Sequence, residues 1–202
     1  MNYAYPGSPR EIIRDFDQTL RPGTTMGLVG PSGSGKSTLL DLIGGLRKPV
    51  SGSVAFDNVP ASEAVRRAAT AWVAQTNPML HGRTAVENAA IALLAQGADM
   101  MTARAAACRS LADLGLEDRM LAPMARLSGG EQQRVSIVRC LLSDRPLVLA
   151  DEPTGQLDHQ NTAAVVDAFK TLARAGKIVI IATHDPSVWE RLDEMVDLRE
   201  SP

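Results

Sequence analysis

The chain has 202 residues, a net charge of −2, 45% hydrophobic residues and 22% charged ones. That length and balance suit one globular domain, or one domain with a lobe, able to bury a sizeable core. Near-neutral charge offers no basic field for nucleic acid, so no nucleic-acid partner is expected. The two cysteines, Cys108 and Cys140, have no metal-ligand or redox spacing and sit among helix formers. Unreactive thiols in a reducing cytosol are the expectation. No stretch approaches the ~20 apolar residues needed to span a bilayer, and the first residues lack a basic-then-apolar leader. Any membrane role must come through a partner.

Along the chain, two tyrosines and a Pro6-Gly7 turn precede Ile12 to Leu20, which alternate in part as a half-exposed strand would. Arg21-Pro22-Gly23 reads as a tight turn. The apolar run from Thr24 to Val29 predicts a strand. It delivers Gly30-Pro31-Ser32-Gly33-Ser34-Gly35-Lys36-Ser37-Thr38, which opens into a helix ending near Gly44-Gly45. Strand, glycine loop and helix in that order are the context in which G-x-x-x-x-G-K-[ST] means a nucleotide phosphate site. Glycines let successive backbone N–H groups turn inward, and the helix N-terminus adds its positive dipole. Lys36 would reach the β- and γ-phosphates, and the Ser37 hydroxyl would ligate Mg²⁺.

Ser53 to Phe56 predicts a short strand closed by Asp57-Asn58, Ser62 caps a short helix, and Ala71 to Ala74 predicts a strand ending at Gln75. From Thr84 to about Asp118 the texture becomes alanine-rich helix. Thr84 with Glu87 is a capping-box pattern, and Thr102 is expected to cap the next helix. Residues 76–130 are read as a helical lobe inserted into an α/β core formed by residues 1–75 and 131–202. Buried strands follow at Leu147–Ala150 and Ile178–Ala182, with a helix from about His159 to Ala175 between them. Apolar strands alternating with helices mean a mostly parallel sheet covered on both faces. Such sheets bind ligands at the C-terminal ends of their strands, where Gly30, Asp151 and His184 fall.

Asp151, ending a strand expected beside the phosphate loop, suits Mg²⁺, through a water. Glu152, one residue on, could polarise the attacking water as general base. His184 could hydrogen-bond the γ-phosphate or that water, and the Gln75 amide oxygen could complete the Mg²⁺ shell. Ser128-Gly129-Gly130-Glu131 fits a capping box, and a well-capped helix is one reading of it. Two glycines directly after the cap cost helix propensity, roughly 1 kcal/mol each against Ala. They make sense if backbone N–H groups must come close to an anion. A second anion-binding helix end, in a chain with one nucleotide loop, suggests a nucleotide bound elsewhere.

Gly30–Thr38, Leu127–Arg134 and Leu147–Asp158 together resemble the Walker A, signature and Walker B motifs of an ABC-transporter ATPase subunit. Gln75 matches that family's Q-loop, His184 its switch histidine, Asp158 its D-loop, and Tyr5 the aromatic position that stacks on adenine. The resemblance implies a P-loop core with a small antiparallel β subdomain and a helical lobe. It implies ATP and Mg²⁺ as ligands, and a head-to-tail dimer with two ATPs between subunits. Lys36 of one subunit, and Ser128 with Gly129 and Gly130 of the other, would grip one ATP. An integral-membrane permease subunit, in two copies, would place the chain at the cytoplasmic face of the membrane as a peripheral protein. Gln75–His81 and the lobe would seat a short helix of that partner, with Met79 and Leu80 either touching it or packing in the core.

Glu152 to Asp158 also resembles the EPTGNLD form of the lipoprotein-release, macrolide-efflux and cell-division branch, although Gln156 stands where asparagine is usual. Relatives have a β-strand before the aromatic position. Here only four residues precede Tyr5, so the expectation is an under-anchored Tyr5 and weaker adenine stacking. The resemblance supports an exporter or extractor of amphipathic cargo, or a signalling module that moves a membrane partner without transport. A chromosome or DNA-repair ATPase needs a very long coiled coil between its motifs, for which residues 76–127 are too few.

Overall fold

Short strands and their turns frame the first third of the chain. In the computed structural model, which describes residues 1–74, 79–155 and 157–198, β1 (Tyr3–Ala4) pairs antiparallel with β2 (Glu11–Ile13). The strand expected to run on to Leu20 stops at Ile13. Asp15 takes φ 42° and gives its N–H to the Asn2 side chain, which bends the chain away. β3 (Thr25–Val29) follows, then α1 (Lys36–Ile43). β4 (Ala55–Phe56) and β5 (Val59–Pro60) form a hairpin. Its central residues, Asp57 and Asn58, take φ 49° and 64°, the left-handed pair that a tight hairpin turn requires.

Next come α2 (Glu63–Ala69), capped by Ser62, and β6 (Thr70–Ala74). The helical lobe holds α3 (Ala85–Ala95), α4 (Met100–Asp113) and two short 3-10 turns, Glu117–Arg119 and Met124–Arg126. The Thr84–Glu87 capping box forms as read. The cap of α4 differs. Asp99 accepts from the amides of Met101 and Thr102, and Thr102 only donates its hydroxyl to Asp99. A carboxylate satisfies two orphan N–H groups at once, which a hydroxyl further along the turn cannot do.

The remainder is α5 (Gly129–Leu142), β7 (Leu147–Asp151), α6 (His159–Arg174), β8 (Ile178–Thr183), α7 (Pro186–Trp189) and β9 (Glu194–Asp197). The described residues form a parallel sheet ordered β6-β7-β8-β3-β9. β7, which ends in Asp151, therefore does not lie beside the phosphate-loop strand; β8 lies between them. Val179 to Thr183 are all buried, so the most continuously apolar run takes a central place, and chain order gave no hint of that crossover. α1 covers one face with Leu39, Leu40 and Leu42, while α5 and α6 cover the other with Ile137, Val165, Val166 and Phe169.

α5 belongs to both parts of the molecule. Val135 and Val138 pack into the lobe with Ala89, Ala103, Ala107 and Leu111, and Ile137 and Cys140 pack against the sheet layer. Burial pushes the Cys140 thiol up to about 11, which accords with an unreactive structural cysteine. No helix among the described residues is long and apolar enough to cross a membrane.

Met79 and Leu80 part company. Met79 is buried in the lobe core, where Arg139 donates to its sulfur at 3.2 Å, and Leu80 is 53% exposed. Buried Asn88 fixes that divide. Its Oδ1 accepts from Leu80 N at 2.9 Å, and its amide donates to Leu80 O at 3.1 Å and to Thr84 O at 3.0 Å. Asn88→Ala should lower stability by about 1–3 kcal/mol by orphaning these groups, read as a lower urea midpoint. Exchange at the Leu80 amide should be faster than in the parent chain.

Candidate nucleotide site

Gly30–Thr38 leaves the C-terminal end of β3. Gly35 is the turn into α1, at φ 99°, and a Cβ there would meet Ile12 Cγ2 at 2.9 Å. β2 thus packs beneath the loop, and the α1 N-terminus points its free amides and positive dipole end at the cleft. Lys36 is buried. Its Nζ donates to Gly30 O at 2.8 Å and Pro31 O at 3.2 Å, and lies 3.6 Å from Glu152 Oε1.

Glu152 follows β7 in the left-handed region, at φ 43°, a conformation costing about 1–2 kcal/mol for a residue with a Cβ. Its N–H bonds Ala182 O of β8 at 2.9 Å, so the strained residue is held by the neighbouring strand. The side chain then meets His184 Nδ1 at 2.9 Å. Tyr5, Pro31, Ser32, Gly33, Gly35, Lys36, Ser37, Thr38, Asp151, Glu152 and His184 line one open cleft of about 640 Å³, a size suited to a small-molecule ligand. Gly30 stands behind it as an acceptor for Lys36, and Ser34 faces a neighbouring recess beside Arg10 and Arg14. Two other clefts, of about 420 and 810 Å³, contain none of the expected residues.

Ser37 and Asp151 both line this cleft, and a hydroxyl and a carboxylate are hard oxygen donors of the kind Mg²⁺ prefers. Gln75, the third expected ligand, lies outside the described residues.

Ser128, Gly129, Gly130 and Asp158 do not line that cleft. They form a second group where α5 and α6 begin. Ser128 and Glu131 make the reciprocal capping box, with Arg119 on Glu131 at 3.1 Å. Asp158 caps α6 by accepting from Asn161 N at 2.8 Å, and the Asn161 amide donates to both of its oxygens. These bonds hold the Asp158 carboxyl below the usual range. A Cβ on Gly130 would lie 2.7 Å from Asn161 Oδ1, so glycine there lets the two helix starts meet. That packing need was hidden in the sequence, which had suggested anion approach alone.

Tyr5 is anchored, contrary to expectation. β1 precedes it, Tyr3 meets it edge-on at 5.3 Å, and its hydroxyl bonds Thr38 Oγ1 at 2.7 Å.

A family profile described as ABC transporter matches residues 13–155. The chain is a member of the ABC transporter ATPase family. It is 38% identical over 207 residues to the lipoprotein-releasing system ATP-binding protein LolD of Novosphingobium aromaticivorans, covering 98% of this chain and 92% of that one. It is 40% identical over 195 residues to the macrolide export ATP-binding/permease protein MacB of Rhodopseudomonas palustris, covering 93% of this chain but 30% of that longer one. Among solved structures it resembles a dimeric post-hydrolysis state of the cassette MJ0796 bound to ADP and Pi, with TM-score 0.79 and 30% identity over 97% of this chain and 90% of that one. The cbiO1 structure from Clostridium perfringens superposes with TM-score 0.82 at 26% identity, over 91% of this chain and 76% of that one.

This ABC ATPase is thus an ATP-binding transporter subunit and an ATP hydrolase, of the lipoprotein-release and macrolide-efflux branch. Sequence reading missed Asn161, Asn88 and Arg47, whose guanidinium lies 5.0 Å from the Tyr5 ring centroid and donates to the Tyr3 hydroxyl at 3.5 Å. Asn161 sits three residues after a capping aspartate, and that spacing was the only signal for it. Gly130→Ala should lower stability by about 1–3 kcal/mol through overpacking, measured by urea unfolding. In a chain that already carries Asn161→Gly, Gly130→Ala should cost much less than it does in the parent.

Proposed function

We propose that two copies of this ATPase close head to tail around two ATPs and drive a membrane permease, itself present in two copies. One observation carries this reading: within a chain, the phosphate-loop cleft and the Ser128–Asp158 group are separate constellations, each suited to half of an ATP. The dimeric cassette among the similar structures supports the same assembly. Residues 1–75 and 131–202 form the ATP-binding core and residues 76–130 the lobe that meets the permease, with exposed Leu80 among its contacts. The chain then sits at the cytoplasmic face of the membrane, and the cargo, exported or extracted, is amphipathic. Names such as lipoprotein-releasing and macrolide export among its relatives support that class.

In this mechanism Tyr5 stacks on the adenine, and Gly30–Thr38 surrounds the phosphates with backbone N–H groups. Lys36 exchanges its carbonyl partners for the β- and γ-phosphate oxygens. Ser37, Asp151 and Gln75 are the oxygen donors that would hold Mg²⁺, which when bound neutralises phosphate charge. Glu152 takes a proton from the attacking water, whose oxygen bonds the γ-phosphorus as the bond to the β-phosphate bridging oxygen breaks. His184, already on Glu152 Oε1, orients that carboxylate and can reach the γ-phosphate. From the other copy, Ser128, Gly129 and Gly130 bind the same γ-phosphate, and Asp158 lies alongside. Closure is favoured because the full set of contacts exists only in the closed dimer.

Glu152→Gln should bind ATP, accumulate as a dimer, and hydrolyse at least ~100-fold more slowly. Turnover near that of the parent would remove Glu152 from the base role. Ser128→Arg should abolish hydrolysis and leave ATP binding by the single chain intact. Mixed with Lys36→Ala, which keeps a sound Ser128 half, it should form at most one complete site per dimer, and hydrolysis tracking the mixing ratio is the measurement.

A further inference from the structure

We infer that Arg47 is a positioning residue for adenine recognition, acting through the ring of Tyr5. This rests on the reading that Tyr5 carries the base. The guanidinium carbon of Arg47 lies 5.0 Å from the Tyr5 ring centroid, over its face. The cleft is lined by Tyr5, Ile12 and Thr38 but not by Arg47. Arg47 therefore backs the ring from outside and leaves the cleft side to a base.

Arg47 is itself held. Its Nε donates to Asp41 Oδ2 at 2.8 Å, and its Nη1 donates to the Tyr3 hydroxyl at 3.5 Å. The Asp41 carbonyl accepts from the amides of Leu46 and Arg47 at 2.8 and 3.1 Å, so the segment leaving α1 folds back to place the guanidinium. Tyr3, buried in the core, forms a T-shaped pair with Tyr5, the two rings nearly perpendicular.

Tyr5 is thus held on a face by Arg47, by its T-shaped contact with Tyr3, and at its hydroxyl by Thr38 in the phosphate loop. Two consequences follow. A ring fixed before the ligand arrives loses less rotamer freedom on binding. A cation on one face also draws the π-electron density toward itself, and an electron-rich purine stacks better on the opposite face. Both act on the base and neither on the triphosphate. Asp41 keeps the charge from floating free, since it ties Arg47 to the same helix whose first turn carries Lys36 and Thr38.

The test is equilibrium binding of Mg-ATP and of Mg-tripolyphosphate, which lacks the base, to the full chain. Arg47→Met keeps the stem and removes the cation. It should weaken ATP binding about two- to fivefold, the range of an exposed cation–π contact, and leave tripolyphosphate unchanged. Arg47→Lys should recover most of the loss. In a Tyr5→Ala chain, which should already bind ATP more weakly, Arg47→Met should add nothing. Equal loss for both ligands, no loss for either, or an undiminished loss in the Tyr5→Ala chain would overturn the inference about Arg47. If Tyr5→Ala itself binds ATP as the parent does, the reading of Tyr5 as adenine platform fails, and that result differs from each of the others.

Discussion

The placement of β8 between β3 and β7 is the constraint on which the site depends. Parallel strands share one register of C-terminal ends, so three adjacent strands deliver the phosphate loop, His184 and the Asp151–Glu152 pair to one edge. Because the Glu152 N–H donates to the Ala182 carbonyl of β8, the left-handed turn at Glu152 is supported by the sheet itself. That turn aims the carboxylate back across β8 toward Lys36 and His184. Were β7 next to β3, there would be no intervening strand end to carry the histidine between loop and carboxylate.

α5 is the second organising element. Its first turn carries Ser128's capping box and Gly130's contact with Asn161, and its body divides between the lobe core and the sheet layer. A displacement of the lobe therefore cannot leave the start of α5 behind, and through Asn161 it also bears on Asp158. The two groups proposed to face the partner's ATP are mechanically joined before any partner arrives. Arg139, extending from the same helix to the Met79 sulfur, ties in the lobe segment that ends at exposed Leu80.

What could be read from residue order was chemistry fixed by local spacing. The phosphate loop, the capping boxes at Thr84 and Ser128 and the strand-end acids are short-range patterns, and each predicts its own backbone geometry. Misreadings came where long-range contacts decide. The alternation from Ile12 to Leu20 looked like one strand, yet Asn2, far back in the chain, captures the Asp15 amide and ends it. Thr102 is the local exception: it had the residue type for a cap, yet Asp99, three residues earlier, binds two amides and takes the role. Met79 and Leu80 looked alike, and Asn88 sends one inward and leaves the other out. The order of strands in the sheet is not encoded in any single run of residues, and Asp151's distance from β3 was therefore invisible.

The glycines of the signature segment show how one residue can answer two demands. Gly130 must lack a Cβ because Asn161 stands in its place, which is a packing requirement internal to one chain. The same bareness leaves backbone N–H groups at the start of α5 approachable by an anion, which is a binding requirement met only from outside. Neither demand excludes the other: the packing one is met because Asn161 turns its amide to Asp158 and its carbonyl side toward α5, and the binding one is the demand proposed for the closed dimer. The constraint thus passes from Asp158 through Asn161 to Gly130. The phosphate loop, by contrast, closes on itself, with Lys36 bonded to the carbonyls of Gly30 and Pro31. The loop is held by its own bonds, whereas the Ser128–Asp158 group is shared between two helices whose starts must stay together for it to exist.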